Sequence, residues 1–244
     1  MWSIVPFKVL NRGKQRLAGV LTEPERAGLS RAMIEDLLNA LLKVQSLEGM
    51  LVVSDDKGAS LLAQKYGLEL VIEDSSGDSG LNSAVKCAID RLQTLSIDDF
   101  MVIHGDLPLV SPDDITNLIH HHRRSGKPML TLVPDRWRSG TNCLLSSSCQ
   151  AVPIRFGEDS MTKHLKAAEQ QGIPSRVAEF PSIMFDIDTP LDLQELIRRL
   201  DTMNGSLAVN TRAFLDTIDR KRLLAYSTVA GGGNYAMPEH EVLQ

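Results

Sequence analysis

Short apolar runs alternate along this chain with longer stretches whose apolar residues recur every three or four positions. The runs at 2–6, 50–54, 69–72, 100–104 and 129–133 predict strands. Between them, 25–44 places Leu29, Met33, Leu37, Leu41 and Val44 along one stripe, the mark of a helix with a sheet-facing side. Segments 59–66, 82–95 and 112–122 follow the same rule. Ser111 before Pro112 supplies a capping residue and a proline at the first helical position. Strands alternating with helices predict an α/β fold, with a Rossmann-like, mostly parallel sheet flanked by helices.

The pattern loosens after Val133. Residues 141–147 read as a strand, 160–171 as a helix, and 177–180 and 183–186 as short extended pieces. A helix starting near Pro190 carries Leu193, Leu196, Ile197 and Leu200. Residues 207–225 read as one more helix, and the glycines at 231–233 open a flexible tail. The expected organisation is one α/β domain over 1–204 with a C-terminal extension over 205–244.

Composition narrows the partners. A formal net charge of −5 and an aromatic content of only 5% speak against nucleic acid and against anionic membranes. No basic segment followed by a long apolar stretch opens the chain, and no apolar run reaches membrane-spanning length, so a cytoplasmic protein is expected. Cys87, Cys143 and Cys149 are not spaced as a metal or redox motif and read as reduced thiols.

In such sheets ligands bind beyond the carboxyl ends of the strands, and the candidate chemistry falls there. After the first strand, Lys8, Arg12, Lys14 and Arg16 put four cations on a loop made pliable by Gly13 and Gly19. This loop is either a triphosphate pocket or a solvated basic surface. After the fourth run, Asp106 stands between Gly105 and the rigid Leu107-Pro108 step. A lone carboxylate there suits Mg²⁺, which takes few protein oxygens beside substrate phosphates. Asp186 and Asp188 lie two apart on an extended segment before a helix, so one is placed to complete a metal site while the other caps the helix with Thr189. Thr141 follows Ser139-Gly140, and Gly157 precedes Ser160 at a helix start, a setting for a phosphate or carboxylate as well as for ordinary turns. Residues 75–80 lead as a mobile loop into 81–84, where Asn82 is placed to line a nucleotide pocket. His164 is either an anion contact one turn into its helix or a surface residue. His120, His121 and His122 are successive and cannot face one ligand, so they read as solvated.

Taken together these segments resemble the CofC/FbiD family, guanylyltransferases of coenzyme F420 biosynthesis within the GT-A-like nucleotidyltransferase folds. The resemblance is carried by Val5-Pro6-Phe7-Lys8 with Gly13-Lys14-Gln15-Arg16-Leu17, Leu81-Asn82-Ser83-Ala84, His104-Gly105-Asp106-Leu107-Pro108, Asp135-Arg136, Ser139-Gly140-Thr141-Asn142, Arg155-Phe156-Gly157 with Ser160, and Asp186-Ile187-Asp188-Thr189-Pro190. It implies a magnesium-dependent enzyme that joins GTP to a small phosphorylated carboxylic acid: 2-phospho-L-lactate, phosphoenolpyruvate or 3-phospho-D-glycerate. It further implies Asp106 and Asp186, with Asp188 beside them, as metal ligands, and Lys14 and Arg16 with Lys8 and Asn82 on the nucleotide. Thr141, Gly157 and Ser160 fall on the acid, and a homodimer is implied. The competing readings are a nucleotidyltransferase acting on a sugar, polyol or molybdopterin phosphate, and a nucleotide-binding module without turnover.

Overall fold

A computed structural model of the chain describes residues 1–7, 14–54, 57–72, 80–124, 129–149, 154–203 and 205–226. Strands β1 (Trp2–Pro6), β2 (Gly49–Ser54), β3 (Glu69–Ile72) and β4 (Phe100–Ile103) run parallel, linked through α1 (Glu23–Leu41), α2 (Lys57–Tyr66) and α3 (Leu81–Thr94). Then come α4 (Pro112–Arg123), β5 (Leu130–Pro134), β6 (Thr141–Ser146), α5 (Ser160–Gln170), β7 (Ser175–Val177) and α6 (Pro190–Thr202). Among the described residues the strands form one seven-stranded sheet, ordered β3-β2-β1-β4-β6-β5-β7. Strand β6 runs antiparallel to both of its neighbours, so the sheet is mostly parallel, as expected.

The central strands are apolar without interruption because both sheet faces are covered. Val5, Val52, Met101, Ile103 and Leu145 pack with Leu37, Leu41 and Ile115 on one face, while Ile4, Leu51, Val53, Val102 and Leu144 pack with Val85, Ile89 and Met161 on the other. Helix α1 starts at a capping box, with Thr22 accepting from the Glu25 backbone and Glu25 accepting from Thr22. It buries two stripes. Ile34, Leu37 and Leu41 serve the sheet, whereas Leu29 and Met33 join Leu17, Leu196, Leu200, Leu215 and Leu223 in a separate apolar cluster.

That second cluster docks the residues after 205. The single helix expected over 207–225 is instead two, α7 (Val209–Leu215) and α8 (Arg220–Leu224). The break has a local cause: Thr217 Oγ donates back to Phe214 O, and the Asp219 carboxylate accepts from the Lys221 and Arg222 amides, starting a new helix. Residues 183–186, expected as extended, follow a turn closed by Ile183 N and Met184 N donating to Phe180 O. Ile183 and Phe185 are apolar because they are buried, not because they alternate in a strand. The loop expected to be mobile at 75–80 falls outside the described residues except for Gly80, as does the expected tail at 231–244.

Asp36, buried on α1, accepts from Asn210 N, Asn210 Nδ2 and Thr211 N at 2.8–2.9 Å. Asp36→Ala strands two backbone donors and is expected to lower unfolding free energy by about 3 kcal/mol. Urea titration measures this, and a loss below about 1 kcal/mol would show that these bonds contribute little to docking.

Candidate active site

Lys14, just beyond β1, has a left-handed backbone (φ 54°) at the entrance to the 3-10 turn Gln15–Leu17, whose Leu17 is fully buried. A non-glycine residue held there is uncommon, though Ser96, Arg138, Asp159 and Ala208 share the conformation. From this perch Nζ donates to Asp106 Oδ2 and to Asp188 Oδ1, each at 2.5 Å. Asp106 follows β4 across Gly105, where an added Cβ would lie 3.3 Å from Ile34, so the chain passes tightly over α1. The segment carrying Asp186 and Asp188 is fastened to the same loop by Ile187 N donating to Asp106 O.

Asp186 does not touch Lys14. Its Oδ1 accepts from Asn142 Nδ2 at 3.1 Å, and that amide also donates to Ile183 O. The Asn142 carbonyl in turn accepts from His104 N, so the start of β6 is clipped to the end of β4. Neither Asp186 nor Asp188 caps the following helix. Thr189 caps α6 in a box with Asp192, whose Oδ2 accepts from the Asp188 and Thr189 amides. Likewise Ser111 caps α4 in a box with Asp114 rather than with Asp113, leaving Asp106 uninvolved in capping.

Electrostatics explain the arrangement. Burial drives the Lys14 ammonium toward neutrality, but Asp106 and Asp188 outweigh it and hold the charge. Burial likewise raises Asp106, and Lys14 with His104 more than offset that. Asp186 makes no ion pair with Lys14 and is pushed up to about 6 by burial first and then by the facing Asp106 and Asp188. Asp106, Asp186 and Asp188 thus converge around a single ammonium, an excess of carboxylates that a divalent cation would offset. Asp106 Oδ1 is buried with no hydrogen-bond partner among the described residues, as a lone pair reserved for a ligand would be. No three His, Cys, Asp or Glu groups among the described residues make a complete metal cage. Mg²⁺ needs none, since water and phosphate oxygens fill most of its sphere. The residues therefore fit that ion.

Beside this cluster lies a second, enclosed one. Thr141 opens β6 and Ser160 opens α5, both 2% exposed, with Ser160 Oγ 3.3 Å from Thr141 Oγ. His164 is 1% exposed and 3.2 Å from the same Thr141 oxygen through Nδ1, so it is neither a surface residue nor a direct anion contact. Asp135 caps the approach to Thr141 by accepting from Ser139 N and Gly140 N. Gly157, at φ 119°, borders open space, and Asn82 spends its amide on the Phe156 backbone in both directions, holding the loop before Gly157. Phe156 packs against both His104 and His164, with ring centres about 5 Å apart.

Arg16 is exposed on its turn, and Lys8, Arg12 and Gly13 lie outside the described residues. Sequence reading assigned no role to Asn142, Arg136 or Asp192. Arg136 pairs with Asp192 and lies over the Phe185 ring at 4.9 Å, bracing the α6 start against the β5–β6 connection. A groove of about 370 Å³ among Trp2, Leu41, Met50, Tyr66 and Glu69 sits at the opposite end of the sheet and shares no residue with either cluster.

Burial lowers the His164 pKa from 6.5 to about 4. A histidine depressed on folding leaves stability intact above its unfolded value and removes it as pH falls through 6.5 toward 4. Between pH 7 and pH 4 the protein is expected to lose roughly 3 kcal/mol more than His164→Asn, read from denaturant midpoints at both pH values.

The family described as "Guanylyl transferase CofC like" matches residues 1–219. A phosphoenolpyruvate guanylyltransferase of Conexibacter woesei is 32% identical over 219 residues, covering 90% of this chain and 96% of that protein. A 2-phospho-L-lactate guanylyltransferase of Methanothermobacter thermautotrophicus is 30% identical over 195 residues, covering 80% and 83%. Among solved structures, one from Desulfovibrio desulfuricans G20, described as a nucleotide-diphospho-sugar transferase, superposes with a TM-score of 0.71 over 91% of this chain and 96% of its own, at 14% identity. That likeness concerns the fold, which is the GT-A-like nucleotidyltransferase fold expected. With the fold, the strand-end carboxylates and the sequence relationship in agreement, this chain belongs to the CofC-like guanylyl transferases and is an enzyme of the nucleotidyltransferase type.

Proposed function

We propose that this enzyme couples GTP to a small phosphorylated carboxylic acid in coenzyme F420 biosynthesis, releasing pyrophosphate. The acid is 2-phospho-L-lactate, phosphoenolpyruvate or 3-phospho-D-glycerate. The observation that carries the reading is the pairing, at one end of the sheet, of the Lys14-linked carboxylates with the enclosed Thr141–Ser160 hydroxyls. The first is suited to phosphates and the second to a small anion.

In the reaction a phosphate oxygen of the acid forms a bond to the α-phosphorus of GTP while the bond from that phosphorus to the bridging oxygen breaks. The acid phosphate is already ionised near neutral pH, so no side chain need remove a proton. Positioning and charge neutralisation supply the rate. Asp106 and Asp186 would hold Mg²⁺, whose chemistry here is to offset phosphate charge. Lys14 is assigned to the triphosphate once its carboxylate partners are engaged, Arg16 and Lys8 to the same anion, and Asn82 to the wall of the nucleotide pocket through Phe156. Thr141, Gly157 and Ser160 are assigned to the acid. A homodimer belongs to this reading and is checked by sedimentation.

The test is a GTP-dependent assay on the three acids in parallel, with product masses and pyrophosphate read out. A guanosine-diphospho-acid with at least one of them is expected. Release of pyrophosphate from CTP with a sugar or polyol phosphate, and none from GTP with these acids, would refute it. Among the described residues no helix is long and apolar enough to cross a membrane, so the assay needs no lipid.

A further inference from the structure

His164 has both ring nitrogens occupied, and the chemistry of its partners fixes which one bears the proton. Arg155 N donates to Nε2 at 2.9 Å. A backbone amide can only donate, so Nε2 must be bare. In the neutral ring the proton then sits on Nδ1, which faces Thr141 Oγ at 3.2 Å and also bonds the Ser160 backbone, so Nδ1 offers the Thr141 hydroxyl no acceptor. The hydroxyls of Thr141 and Ser160 contact one another at 3.3 Å. With Nδ1 closed to them as an acceptor, Thr141 and Ser160 carry two hydroxyl protons and share one contact. One hydroxyl proton is left over. Its other neighbour is Met161 Sδ, 4.0 Å from Thr141 Oγ, a poor acceptor that any anionic oxygen displaces.

We infer that His164 is a positioning residue that locks the Thr141–Ser160 pair into a hydrogen-bond donor, so that this pocket takes an anionic oxygen of the acid substrate. The opposite tautomer would make Nδ1 an acceptor, consume the Thr141 proton and leave the pair with a weaker donor for an anion. The ring is held in register by Phe156, which meets it edge-on at 5.0 Å, and by near-complete burial. The inference deepens the functional reading above and rests on its assignment of Thr141, Gly157 and Ser160 to the acid.

Two measurements test it. Nitrogen-15 spectra of the protein, with the His164 signals identified by their loss in His164→Asn, are expected to show a protonated Nδ1 and a bare Nε2. His164→Leu removes the donor, whereas the amide of His164→Asn reaches the Nδ1 position and keeps one. The KM for the acid is expected to rise about ten-fold or more in His164→Leu and to stay within about three-fold in His164→Asn, with the KM for GTP unchanged in both. A protonated Nε2 overturns the inference. So does a loss in which both variants shift the two KM values together in step with melting temperature, the result of a purely structural role. If no phosphorylated acid is a substrate, the functional reading fails and the acid-binding part of this inference falls with it, while the tautomer stands or falls on its own spectrum.

Discussion

Asp106→Asn is expected to lower kcat about a thousand-fold while leaving the melting temperature within a few degrees of the parent. The substitution keeps the shape of the side chain and an oxygen for Lys14, so the strand-end geometry has little reason to collapse. What disappears is one negative charge and the lone pair on buried Oδ1 that no described group engages. Both are needed to bind a divalent cation, whereas for folding Lys14 retains Asp188 as its charged partner. Steady-state rates over a range of Mg²⁺ concentrations, with circular dichroism as the folding control, make the measurement. Turnover near the parent value at ordinary Mg²⁺ would remove Asp106 from the metal site.

Lys14→Met should behave differently, damaging both rate and stability. It deletes the ammonium that bridges Asp106 and Asp188 and leaves these two carboxylates facing Asp186 without the cation that joined them. Removing one member of a largely buried ion pair is costly because the other is left uncompensated. Asp188 is 43% exposed, so water recovers part of that loss, and about 2–3 kcal/mol is expected. The rate should fall at least about a hundred-fold, since the same ammonium is assigned to the phosphates. Lys14→Arg is the informative companion. Restored stability without restored turnover would separate bridging the carboxylates from contacting the nucleotide. A Lys14→Met protein as stable and as active as the parent would end the assignment.

Much of this was legible in the chain before any coordinates. Uninterrupted apolar runs named the buried strands, and the carboxylates and basic loop fell just after them. Periodicity does not state direction, however, and 141–147 read as a strand with no sign that it runs against its neighbours. The capping partner was misjudged where several acids competed: Asp192 rather than Asp186 or Asp188 serves Thr189. Spacing gives the reach of a side chain but not which lone pair is already used. Asn142 and His164 were missed for different reasons. Asn142 stands in a run of small polar residues with no periodic signal, whereas His164 falls at helical spacing between Met161 and Ala168, a buried stripe that was legible but passed over for a surface or anion-contact role.

The reversed course of β6 has an architectural consequence. Because this strand enters the sheet at the reactive end, Thr141 and Asn142 reach that rim at the start of a hairpin, whereas Asp106 reaches it from the close of a crossover unit. The 135–140 connection is thereby tied to both rims, since Asp135 holds Ser139 and Gly140 ahead of Thr141 while Arg136 grips Asp192 at the start of α6. A change of length there would therefore be felt by the carboxylate segment as well as by the buried hydroxyls.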